Sequence, residues 1–178
     1  MVGGLGDDTY IVDNTLDQVI ESADADGIYS YDTISSSVSY TLSANVECLT
    51  LTGTAGISAT GNEDANELIG NSGNNLLKAG EGNDDLDGGS GIDTMEGGAD
   101  NDYYTIDNVA DVVTELANEG TDQIYSNVDN ATVANNVEQF FLNPLNTVLS
   151  ANGNAQSNWI YGNNYNNTLK GFDGNDSL

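Results

Sequence analysis

Asp84, Asp93 and Asp102 follow one another at intervals of nine residues, each sixth in a block rich in glycine. Starting at Gly61 the chain divides without a gap into GNEDANELI, GNSGNNLLK, AGEGNDDLD, GGSGIDTME and GGADNDYYT. Position six reads Asn66, Asn75, Asp84, Asp93, Asp102, and position eight reads Leu68, Leu77, Leu86, Met95, Tyr104. A carboxylate at a fixed place in a glycine-rich turn offers oxygen ligands from its side chain and from carbonyls of a backbone free to curl. That donor set suits a hard cation. Calcium takes six to eight oxygens and tolerates irregular geometry, whereas magnesium demands a tight octahedron. Zinc prefers nitrogen and sulfur ligands; the chain has no histidine and one cysteine, Cys48. The same composition excludes an internal disulfide and a Cys–His nucleophile pair.

The rest of the composition agrees. The chain of 178 residues carries 29 Asp and Glu against two Lys, with a net charge of -27. A nucleic-acid partner is excluded, because phosphate binding needs Lys and Arg, and an anionic membrane surface would repel the chain. No apolar run is long enough for a membrane-spanning helix. A compact domain of this charge repels itself unless it is disordered or holds cations.

For such blocks to work together they must stack. The first six residues of GGSGIDTME form a turn, and the last three alternate polar, apolar, polar, a short strand with one inward side chain. Two blocks make a coil, and stacked coils align position eight into an interior ladder worth roughly 1.5–3 kcal/mol per buried side chain. Position-six carboxylates then stack about 4.8 Å apart along each edge, a spacing that calls for a metal ion between them. The expected fold is all-β, a parallel β-roll or β-solenoid.

The block also opens the chain as GGLGDDTYI (3–11), with Asp8 at position six, and returns as GNAQSNWIY, GNNYNNTLK and GFDGNDSL (153–178), with Asn158, Asn167 and Asp176. A longer period overlies it. Residues 3–21 align with 97–115 at an offset of 94, Asp32-Thr33-Ile34 with Asp122-Gln123-Ile124 at 90, Asn45-Val46-Glu47 with Asn136-Val137-Glu138 at 91, and 73–86 with 165–178 at 92. Repeats of this kind imply one continuous solenoid over 1–178. It comprises a first unit over 3–96, a nonapeptide array over 61–105, and a second unit over 97–178. Short strands are expected at Tyr10–Val12, Gln18–Ile20, Thr33–Tyr40, Glu47–Leu51 and Gln139–Leu142, and Asp111–Ala117 reads as strand too. Both ends fall inside repeats, so the chain is expected to be a piece of a longer polypeptide.

The blocks resemble the GGxGxDxUx nonapeptide of the RTX, or hemolysin-type calcium-binding, family. The resemblance implies a right-handed parallel β-roll that binds several Ca2+ ions, each held between a block and the block two further on, with wider irregular coils between the repeat runs. It implies one site from Asp84 and Asp102 with the carbonyls of Gly80, Gly82 and Gly98. A second pairs Asn75 with Asp93, using Gly89 and Gly91, and a third sets Asn66 against Asp84; Asp8 and Asp176 begin further sites. Asn at position six is the weaker ligand, and Asp64 and Asp100 stand where position four is otherwise glycine. The resemblance further implies a secreted, extracellular protein, exported in one step by a C-terminal signal and folding where calcium is abundant.

Competing signals are weaker. Asp24-Ala25-Asp26-Gly27 echoes the start of an EF-hand loop but lacks its closing glutamate, and reads as a polar turn. Lys78 and Lys170 each stand ninth in a block, as exposed repeat positions rather than catalytic bases. Phe140 aligns with Leu49 and reads as core; Trp159, at position seven, points outward. Three functions stay open: a non-catalytic calcium-binding structural module, a glycan- or surface-binding module, and the repeat region of a secreted enzyme or toxin.

Overall fold

The computed structural model describes residues 1–23 and 30–178, so the Asp24-Ala25-Asp26-Gly27 turn lies outside it. The described residues form no helix; every strand pairing among them is parallel. The chain is a β-solenoid, as the repeat pattern predicts.

One face is a nine-stranded sheet in the order β1 (Thr9–Val12), β2 (Thr33–Ser36), β4 (Cys48–Leu51), β6 (Glu67–Ile69), β8 (Asp85–Asp87), β10 (Tyr103–Ile106), β12 (Gln123–Ser126), β14 (Gln139–Leu142), β16 (Trp159–Tyr161). The opposite face is split. Its first part runs β3 (Tyr40–Thr41), β5 (Ser58–Thr60), β7 (Leu76–Gly80), β9 (Thr94–Gly98), β11 (Val112–Thr114). Its second runs β13 (Ala131–Thr132), β15 (Ser150–Asn152), β17 (Thr168–Lys170).

The strands are short because each nonapeptide has only three residues between turns. Their alternation puts one side chain inward, and register stacks it: Tyr10, Ile34, Leu49, Leu68, Leu86, Tyr104, Ile124, Phe140 and Ile160 pair in succession along the first face. Ala59, Leu77, Met95 and Val113 do so opposite. Leu49, Leu68, Leu86, Tyr104 and Phe140 are fully buried. Cys48 is buried and unpaired, and Trp159 is 54% exposed.

Coil length varies while register holds. Within the array each coil takes 18 residues, as from Leu68 to Leu86 to Tyr104. Outside it, successive coils take 24 residues from Tyr10 to Ile34, 15 from there to Leu49, 20 from Tyr104 to Ile124 and 16 from there to Phe140. Parallel pairing needs only that strands meet in register; the turns absorb the difference.

Two strand expectations change. Gln18–Ile20 forms a single bridge, Ile20 with Val2. Thr33–Tyr40 is two strands, β2 and β3. Ser36 turns the corner between them, with its hydroxyl donating to Val38 O and accepting from Val38 N.

Candidate metal centre

The turns at one edge of the nine-stranded face bring acidic residues into a ladder. Each backbone amide at the sixth position donates to the carboxylate of the next coil. Asp84 N reaches Asp102 Oδ1 at 2.9 Å, and Asp102 N reaches Asp122 Oδ1 at 2.9 Å. Asp122 N reaches Glu138 Oε2 at 2.9 Å. The pattern runs likewise from Asp8 N to Asp32 Oδ1 (2.8 Å), from Asp32 N to Glu47 Oε2 (2.7 Å), and from Asn158 N to Asp176 Oδ1 (2.9 Å). The opposite edge repeats it from Asn75 N to Asp93 Oδ1 (2.7 Å) and from Asp93 N to Asp111 Oδ1 (3.0 Å).

One oxygen of each carboxylate is therefore used, and the other decides the chemistry. Asp84, Asp93 and Asp102 are fully buried, and the Oδ2 of each has no hydrogen-bond partner among the described residues. A buried charged oxygen without a partner costs several kcal/mol. Burial pushes Asp84 and Asp93 up to about 6 and Asp102 up to about 8, with neighbouring carboxylates adding to the rise and the amide bonds opposing it. The ion pair among the described residues, Lys78 with Glu96 at 2.6 Å, lies on the exposed face and neutralises none of them.

The glycines shape the turns. Gly98 has φ +109, and a Cβ there would stand 2.1 Å from the Gly80 carbonyl oxygen of the preceding coil. At Gly91, with φ +149, a Cβ would stand 2.7 Å from Gly73 O. Gly80, Gly82 and Gly89 share the positive φ, and Asp100 takes the same conformation at φ 77 in glycine's place. An unshielded aspartate oxygen beside a curled, carbonyl-bearing backbone is the donor set that fits a calcium ion.

The asparagine blocks are built differently. Asn66 Oδ1 accepts from Asn62 N at 2.7 Å, and its Nδ2 donates to Val46 O and Asn62 Oδ1. Asn62 Nδ2 in turn donates to Ser43 O and Val46 O. Asn75 with Asn71, Asn158 with Asn154, and Asn167 with Asn163 make the same closure. Amide hydrogens there satisfy the carbonyls of the preceding coil.

Several ladder members were not singled out from the sequence: Asp32, Glu47, Asp111, Asp122 and Glu138, together with Glu21 and Glu115. The signal existed. Asp32 and Asp122 each stand two before a buried Ile, as Asp84 stands two before Leu86, and each falls in a segment that aligns with its copy. Carboxylate oxygens of Asp102, Glu115 and Asp122 lie within 4.8 Å of one another, and so do those of Asp8, Glu21 and Asp32.

A parallel solenoid whose edges carry buried, half-satisfied carboxylates defines a calcium-binding repeat protein. This chain carries the RTX calcium-binding nonapeptide repeat, in four copies matched over residues 60–95, 86–113 and 152–178, and the repeat binds several Ca2+ ions. A stretch of 70 residues is 46% identical to the endo-1,3-1,4-beta-glycanase ExsH of Rhizobium meliloti (strain 1021), covering 39% of this chain and 14% of that protein. No helix among the described residues is long and apolar enough to cross a membrane.

Proposed function

We propose that this chain is a structural module of a secreted protein, which folds outside the cell when calcium enters its turns. Asp84 and Asp102, with the carbonyls of Gly80, Gly82 and Gly98, would hold one ion. Asp93 and Asp111, with Gly89 and Gly91, would hold another on the opposite edge. Asp8 and Asp176 would serve the end coils. Asn66 and Asn75 are left out of the ligand set, because their side-chain amides already close their own turns. The observation that carries the reading is the trio of buried Oδ2 atoms on Asp84, Asp93 and Asp102 that have no partner among the described residues. A bound divalent cation supplies the positive charge that the chain's own side chains do not. The protein's part is to present carboxylates at strand spacing and to exclude water from them. Binding to the folded state alone adds RT ln(1 + [L]/Kd), about 2.7 kcal/mol per site at a hundredfold excess over Kd. Coupled sites would make folding a steep function of calcium. Circular dichroism during calcium titration, with magnesium as control, tests this. Asp84→Ala with Asp102→Ala should raise the calcium midpoint, and an unchanged midpoint would refute the pairing.

A second reading is that the module is the non-catalytic repeat region of a longer glycan-active enzyme, supported by the shared segment with the glycanase. Sugar contact would fall to Trp159. Phe141 and Tyr161 stack face to face at 4.5 Å, and Tyr125 stacks on Phe141 at 4.9 Å, so those ring faces cover one another. Glycan binding lost on Trp159→Ala would favour a glycan-binding module, and the full-length gene tests whether an enzyme carries it.

A further inference from the structure

We propose that Asp102, Glu115 and Asp122 form a second kind of cation site, made of three carboxylates, where a wide coil meets a nonapeptide turn, and that Asp8, Glu21 and Asp32 form its copy. The site goes beyond the nonapeptide reading, since two of its three ligands, Glu115 and Asp122, come from outside any block.

The replacement is local. In a regular coil the strand of the second face leads into the turn through Ala79 or Gly97. No side chain fits at Gly97: a Cβ there would stand 2.1 Å from Asp102 Oδ2 and 2.1 Å from the Tyr104 hydroxyl. One coil on, β11 ends at Thr114 and the turn begins with Glu115 instead. The turn it opens, LANEGT before Asp122, lacks the Gly-x-Gly pair that takes positive φ at Gly80 and Gly82. A carboxylate enters where the carbonyl cradle is lost.

Glu115 is held for this. It is 94% buried, its Oε1 accepts from the Tyr104 hydroxyl, and its Oε2 has no partner among the described residues. Asp102 Oδ2 is buried and unpartnered beside it. Asp122 is 1% exposed and spends one oxygen on the Asp102 amide. Three carboxylates within 4.8 Å of one another, two of them with a buried oxygen that has no partner among the described residues, offer the oxygen donor set that suits a hard cation of charge two or more. The grouping of three carboxylates recurs in the first unit, where Glu21 Oε2 accepts from the Gly4 and Ser22 amides. There the Tyr10 hydroxyl donates to Glu21, and Gly3 lies against Tyr10, Glu21 and Asp8 as Gly97 lies against Tyr104 and Asp102.

The test is calcium stoichiometry by equilibrium dialysis on this chain, with melting of the EDTA-treated protein as a second readout. Glu21→Gln with Glu115→Gln keeps an acceptor for each tyrosine and removes one charge from each cluster. We expect this variant to bind two fewer ions per chain, one for each cluster, or to bind them about tenfold more weakly. Its metal-free melting temperature should rise, because like charges have been removed. Unchanged stoichiometry and affinity would overturn the proposal. So would a metal-free melting temperature that falls, since that marks a purely structural glutamate. Asp84→Asn with Asp93→Asn reports the nonapeptide turns separately. Ion loss in that variant alone leaves those turns standing and rejects the clusters, and loss in the glutamine variant alone does the reverse.

Discussion

Asn66 donates its backbone amide to Asp84 Oδ1 at 2.6 Å, the same contact that Asp84 makes to Asp102 one coil further on at 2.9 Å. The two residues hold equivalent places in one ladder but leave different remainders. Asn66 satisfies its side chain with Asn62 of its own turn and the Val46 carbonyl of the preceding coil, while Asp84 keeps a buried oxygen with no partner among the described residues. Asn turns and carboxylate turns thus share one stack, the first satisfied by the chain itself and the second left with a buried oxygen free for a metal ion.

Asn66→Asp follows from that contrast. The change removes the Nδ2 donor to Val46 O and sets a carboxylate against Asn62 Oδ1. Asn62 and Asp64 lack the positive φ of the glycine turns, so no cradle waits for an ion. We expect destabilisation of about 1–3 kcal/mol and no added ion, read by melting and by calcium stoichiometry.

The metal-free protein should lose stability as pH rises. Burial first, and neighbouring carboxylates next, lift Asp84, Asp93 and Asp122 to about 6, Glu115 to about 7 and Asp102 to about 8. Unfolded carboxyl groups titrate near 4. The native state then binds more protons than the unfolded state between about pH 4 and 8, so its stability is greatest at the acid end and falls through that window. Urea unfolding in EDTA at pH 5 and pH 8 measures it. Equal stability at both would show that these groups do not titrate as the structure has them. With calcium present, protons compete for the same oxygens, and the calcium midpoint should be lower at pH 8 than at pH 6.

Gly98→Ala tests the turn. The new methyl would meet the Gly80 carbonyl at 2.1 Å with the backbone at φ +109. Strain of this kind costs on the order of 1–3 kcal/mol. Loss of melting temperature should come with weaker calcium binding, because the carbonyl that is displaced belongs to the proposed ligand set.

Leu86→Ala addresses the ladder of core residues. Leu86 is fully buried between Leu68 and Tyr104, and its truncation should cost about 2–5 kcal/mol. Lys78→Ala removes the exposed pair with Glu96 and should change stability by no more than about 1 kcal/mol. Thermal melts in saturating calcium compare the two; a larger loss from Lys78→Ala would refute a core made of stacked position-eight residues.

The residues of the nonapeptide array were readable in advance because local spacing and fold coincide there. A nine-residue period places every sixth residue at a turn and every eighth in the core, so Asp84, Asp93 and Asp102 announce the edge, and Leu68, Leu77 and Leu86 the interior. Phe140 was legible through its alignment with Leu49, and both are fully buried. Outside the array the period breaks. Gln18–Ile20 has strand composition yet finds only a bridge, since composition says nothing about whether a neighbouring strand is present.

From sequence alone came the kind of protein: a parallel stack with acidic edges, an oxygen-ligated divalent metal, and no basis for nucleic-acid binding. Those conclusions rest on residue type and short-range spacing, which the chain carries explicitly. Tertiary structure decided which distant acids share a turn. Asp102 meets Glu115 and Asp122, and Asp122 meets Glu138, across coils of unequal length. Parallel strands lock by register and not by the number of residues between them, so the partners of a carboxylate are set only when the coils have closed on one another.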